Sequence, residues 1–142
     1  DFNILLIKGP NSSGKTTLMK QISILIILAQ IGSFLPCDYF EYTPREFIYC
    51  KFNESSILNS DEFENKFHNE IYDMCSQNIG VKNSLILLDE PFDNYSVNIN
   101  HLSLNFSILD YICCDHNIRN GNLFLITSHN QFLINEISKY FN

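Results

Sequence analysis

One stretch, residues 9–17, constrains what this chain can fold into more than any other. It reads Gly9-Pro10-Asn11-Ser12-Ser13-Gly14-Lys15-Thr16-Thr17 and fills the spacing G-x-x-x-x-G-K-S/T at Gly9, Gly14, Lys15 and Thr16. An apolar strand pattern over 3–7 precedes it, and an apolar helical pattern over 16–31 follows. A phosphate-binding loop needs that flanking. Its glycines let consecutive N–H groups curl around one anion, and the helix N-terminus adds partial positive charge. A glycine-rich turn matching by chance would not explain both flanks. In this reading residues 9–17 cradle a nucleotide, with Ser13 and Thr17 adding phosphate contacts. Lys15 reaches the terminal phosphates and the Thr16 hydroxyl ligates Mg²⁺, so ATP and Mg²⁺ are the expected ligands.

A second block completes such a site. Ser84-Leu85-Ile86-Leu87-Leu88 is continuously apolar and ends in Asp89-Glu90. Unbroken hydrophobicity indicates a strand covered on both faces, with the acids at its carboxyl end. Asp89 is expected on Mg²⁺ and Glu90 as the group that orients or deprotonates a water. Read alone, the pair is equally an acidic loop after a buried strand. Residues 122–126 form another buried strand pattern, followed by Thr127-Ser128-His129. There His129 can sense a terminal phosphate or the attacking water, the alternative being an ordinary loop histidine.

The remaining patterns are a strand over 46–52, helices over 62–77, 97–116 and 131–141, and a glycine at 32 where the first helix should stop. Inward stripes are expected at Phe63, Phe67, Ile71 and Met74, and at Leu102, Phe106, Leu109 and Ile112. Leu18, Ile22 and Leu25 are expected in the core. Alternating strands and helices predict an α/β fold with a mostly parallel, doubly wound sheet. The 142 residues make one domain, and a start at Asp1 directly before the loop strand suggests a fragment of a longer chain. The net charge of −7 argues against direct engagement of DNA phosphates by these residues. Five cysteines without C-x-x-C spacing suggest neither a disulfide framework nor a zinc site, and most are expected to be small buried hydrophobes in a reducing compartment. No apolar run is long enough to span a bilayer.

Taken together these residues resemble the ATPase domain of the MutS family. Gly9 to Gln21 is similar to the family's G-P-N-x-x-G-K-S-T-x-x-R/K-Q, and Ala29-Gln30-Ile31-Gly32 with Pro36 to its A-Q-I-G-x-x-V-P. Ser84 to Glu90 and Thr127 to Leu133 resemble S-L-V/I-L-x-D-E and A/T-T-H-x-x-E-L. The resemblance implies a phosphate-loop NTPase fold of the ATP-binding-cassette type, ATP hydrolysis, and dimerisation with a second MutS-type subunit through composite ATP sites. It also implies coupling to mismatched or branched duplex DNA held by parts of the protein outside these residues. The Ser12-Ser13 pair and Gly32-Ser33-Phe34 lean toward the eukaryotic meiotic branch, which implies a nuclear, intracellular protein without a membrane role.

Three departures stand against this pattern. Asn59-Ser60-Asp61-Glu62-Phe63 replaces the family's Ser-Thr-Phe loop, which acts in trans on the partner's nucleotide. Ser60 could serve there, but Asp61 and Glu62 bring negative charge toward an anion. Pro91 to Ser96 replaces a glycine-rich turn, and Lys51-Phe52-Asn53 replaces Arg-Ile-Gly. A nucleotide-gated partner subunit with slow turnover is therefore an alternative. A transporter- or chromosome-type ATPase would need a Leu-Ser-Gly-Gly-Gln-like run between Phe52 and Asn83, where none occurs. A small-molecule kinase leaves the Ala29 to Gly32 block unexplained.

Overall fold

The computed structural model describes residues 3–52, 69–77, 80–91, 107–108, 110–112, 114, 120–129 and 135. Strand β1 (Ile4–Lys8) runs into the glycine loop and helix α1 (Lys15–Gln30) leaves it. Strand β2 (Ile48–Lys51) follows, then helical residues 69–77, strand β3 (Leu85–Leu88), helical residues among 107–112, and strand β4 (Leu123–Ser128). Among the described residues all strand pairings are parallel, in the order β1-β4-β3-β2. The expected α/β architecture with a parallel sheet is what forms.

Two apolar clusters show why the sheet is a middle layer. On one face Met19 and Ile26 of α1 pack on Leu85, Leu87 and Leu125. On the other, Ile71, Met74, Ile108 and Ile112 pack on Ile86, Leu88, Phe124 and Ile126. Alternate residues of β3 thus serve opposite faces, as the two-residue period of a strand requires. All four β3 residues are fully buried, which explains its unbroken apolar run. Ile71, Met74 and Ile112 fill their expected inward positions, while Phe63, Phe67, Leu102, Phe106 and Leu109 lie outside the described residues.

Helix α1 ends in a Schellman pair, Ser33 N–H donating to Leu28 C=O and Gly32 N–H to Ala29 C=O. Beyond it, the Gln30 side chain donates to Arg45 C=O (3.2 Å) and accepts from Arg45 N–H (2.7 Å), imitating a backbone pairing. The Arg45 guanidinium reaches Gly121 C=O at 3.1 Å. Gln30 thereby ties the end of α1 to the segment entering β2, a structural use for the Ala-Gln-Ile-Gly block.

Several expectations need correction. The helix begins at Lys15, inside the anticipated loop. β4 extends through Thr127 and Ser128, both fully buried. Leu18 is 44% exposed, and Met19, Ser23 and Ile26 are the buried residues instead. A helix apolar on nearly every side carries no stripe from which its rotational phase can be read. Cys37 and Cys50 are exposed, and Cys75 and Cys114 half-buried, so the described cysteines are not buried core. Among the described residues no helix is long and apolar enough to cross a membrane.

Candidate nucleotide-binding site

At the carboxyl edge of the sheet the loop from β1 turns tightly, Ser13 N–H donating to Pro10 C=O at 3.3 Å. A Cβ on Gly9 would lie 2.8 Å from Ser13 Oγ, so the close turn favours glycine there. Gly14 caps α1 at φ 90°, a left-handed conformation that side chains resist. Among the described residues no side chain caps this helix start, and no acid lies in its first turn. The first-turn N–H groups, which have no partner within a helix, and the positive end of the dipole therefore face outward. Asn11 to Thr17, together with Glu90, line a cleft of about 280 Å³.

The Lys15 side chain folds back into this loop. Its Nζ donates to Gly9 C=O (2.9 Å) and Pro10 C=O (3.0 Å) and lies 3.0 Å from Glu90 Oε1. His129 Nδ1 is 3.5 Å from the same Glu90 oxygen. Next to this, the Thr16 hydroxyl donates to Asp89 Oδ2 at 2.6 Å. Lys15, Thr16, Asp89, Glu90 and His129, from three separate parts of the chain, therefore converge. Pro10, Asn11, Ser12, Ser13, Gly14 and Thr17 surround them along the loop. Ser60, the candidate for action in trans, lies outside the described residues with Asp61, Glu62 and Phe63.

Two features here were not foreseen. The acidic strand β3 is not adjacent to β1; β4 lies between them. Glu90 adopts φ 49°, outside the extended region. Asp89 follows Leu85 and Leu87 on the α1 face of the sheet, so a regular strand would send Glu90 to the opposite face. The left-handed turn breaks that alternation and is compatible with both carboxylates facing the loop. Thr127 is the residue missed by reading the sequence. Its hydroxyl donates to Asp89 Oδ1 (2.7 Å) and accepts from Glu90 N–H (2.8 Å). It lies two residues beyond Leu125, on the α1 face, but a polar residue at the end of an apolar run reads as loop.

Lys51, in place of the family's arginine, accepts from Asp89 N–H through its C=O at 2.9 Å, and its ammonium pairs with Glu70. The Asp89 backbone is thus held by β2 while its carboxylate is held by α1 and β4. Thr16 Oγ1 and Asp89 Oδ2 are hard oxygen donors side by side, a set that suits Mg²⁺. An ammonium, a helix N-terminus and a carboxylate in one cleft can bind a polyphosphate and accept a proton from a water.

The MutS domain V family model matches residues 5–140. The chain is 34% identical over 130 residues to the DNA mismatch repair protein MutS of Clostridium novyi, covering 91% of this chain and 14% of that protein. It is 34% identical over 131 residues to the same-named protein of Clostridium tetani, again covering 91% of this chain and 14% of the relative. With that of Clostridium kluyveri it shares 35% over 127 residues, 89% of this chain and 14% of the relative. The chain therefore spans about one-seventh of the length of these curated relatives.

Proposed function

The chain belongs to the MutS family through its domain V, and from that premise we propose that it binds and hydrolyses ATP and couples nucleotide state to mismatched or branched DNA. The observation that carries the proposal is the convergence of Lys15 with Glu90 (3.0 Å) and Thr16 with Asp89 (2.6 Å) at the mouth of one glycine loop.

In this reading the phosphates lie against the amides of Asn11 to Thr17. Lys15 Nζ turns from Glu90 to the terminal phosphate oxygens. Thr16 and Asp89 would hold Mg²⁺, which would neutralise phosphate charge when bound. Released from Lys15, Glu90 accepts a proton from a water. The water oxygen then bonds to the γ-phosphorus as the bond to the β-phosphate oxygen breaks, and ADP leaves. His129, beside Glu90, positions that water or the γ-phosphate. ATP and Mg²⁺ are thus the proposed ligands.

By analogy with the family, the protein works as a dimer with a MutS-type partner. A segment of net charge −7 leaves DNA contacts to other parts of the protein. Intracellular, nuclear action at mismatches or recombination intermediates extends the same reading. Asp61-Glu62 favours one second reading, a nucleotide-gated subunit with slow turnover.

Steady-state ATP hydrolysis by the intact protein, with matched and mismatched duplex, tests the proposal. Glu90→Gln should retain nucleotide binding and lose turnover by about 10²–10⁴-fold, the range for a lost general base. Lys15→Ala should weaken nucleotide binding at least about tenfold, as expected for a lost charge-assisted contact. Unchanged turnover in Glu90→Gln would show that another group activates the water. Binding without Glu90-dependent turnover in the wild type would favour the gated subunit.

A further inference from the structure

We propose that Thr127 is a positioning residue for this reaction, its single hydroxyl setting both members of the acidic pair. The inference rests on the ATP-hydrolysis reading above.

A hydroxyl has one proton and two lone pairs. The Thr127 proton goes to Asp89 Oδ1 at 2.7 Å, and a lone pair receives the Glu90 N–H at 2.8 Å. The Thr16 hydroxyl takes the other Asp89 oxygen at 2.6 Å. With one donor on each oxygen, the plane of the Asp89 carboxylate is fixed, and Oδ2 is aimed at Thr16. Thr127 is fully buried and Asp89 is 5% exposed, so solvent is a poor substitute for the lost hydroxyl.

The second bond acts on Glu90. A left-handed glutamate at φ 49° needs local support to persist. Thr127 supplies it by accepting the Glu90 N–H, and the Glu90 carboxylate then faces Lys15 rather than the far side of the sheet. Thr127 pairs in register with Ile7 of β1 and stands next to Ile126, the partner of Leu88. It therefore sits on the strand between the loop and the acids and ties the acids to that strand. Without the hydroxyl, Asp89 can rotate and Glu90 can relax toward an extended backbone. The nucleotide cradle of Asn11 to Thr17 makes no use of the Thr127 side chain. Losing the hydroxyl should therefore affect Mg²⁺ use and turnover while sparing metal-free nucleotide binding.

The test compares Thr127→Val and Thr127→Ser with wild type in the intact protein. Two measurements are made: binding of a fluorescent ATP analogue in EDTA, and ATP turnover across a Mg²⁺ titration. Thr127→Val should bind the analogue without metal within about twofold of wild type. It should need about 10–100-fold more Mg²⁺ for half-maximal turnover and lose a comparable factor in kcat, the range for groups that orient metal ligands. Thr127→Ser keeps the hydroxyl and should restore both. An unchanged Mg²⁺ requirement in Thr127→Val overturns the proposal. So does loss of metal-free binding in that variant, which would mark Thr127 as purely structural, or equal damage in Thr127→Ser. A wild-type protein that binds no nucleotide would overturn the parent reading, and this inference falls with it.

Discussion

Lys15 is 7% exposed, yet its ammonium has three oxygen partners, one for each N–H. A phosphate oxygen can join only by displacing one of them. Glu90 is the partner on a side chain, the other two being backbone carbonyls of the loop itself. The grouping of Lys15 with the acids after Leu88 in one site was legible in residues 9–17 and 84–90, although their direct ion pair was not anticipated. The left-handed Glu90 and the Thr127 bridge were not, because a backbone reversal at a glutamate leaves no mark in residue type. Away from the site, burial and, secondarily, the neighbouring Cys114 push the Cys75 thiol up to about 11. Its neutral form is thus favoured in the folded protein. Stability from this group is present below its unfolded value near 9 and declines as pH rises toward 11. Alkylation at pH 8 should label exposed Cys37 while sparing Cys75 until denaturant is added. Equal labelling, read by peptide mass, would refute the burial assignment.

The apolar character of α1 predicted a helix, but its rotational setting had to come from the sheet. Met19 is fully buried against Leu85, Leu87 and Leu125, while its neighbour Leu18 faces outward. Met19→Ala should lower stability by about 2–5 kcal/mol, the cost of a buried cavity, and Leu18→Ala by about 0.5 kcal/mol or less. Urea denaturation of both variants checks this, and the reverse order would mean a different face of α1 meets the sheet. Strand β3 was readable because burial on both faces enforces a continuous apolar run. The end of β4 was not, since Thr127 and Ser128 are polar residues that read as loop. Nor was the strand order, which depends on crossovers between distant parts of the chain. The Gln30 clamp on Arg45 was equally hidden, being a side chain substituting for a backbone partner.

For the molecule as a whole, charge is the broadest constraint. With nine basic and sixteen acidic residues, this chain should repel duplex DNA. The 142-residue chain should not bind labelled duplex, matched or mismatched, at about 0.15 M salt, where electrostatic contacts are already screened over about 8 Å. Tight binding by fluorescence anisotropy would overturn the charge argument. The position of β4 has a consequence of another kind. Neighbouring strands lie about 4.8 Å apart, so an inserted strand sets the loop strand and the acidic strand about 10 Å from each other. Lys15 with Glu90 and Thr16 with Asp89 are the side chains that meet across that gap. β4 therefore works as a spacer: the width of one strand holds the two backbones apart, and side chains from both halves close the distance.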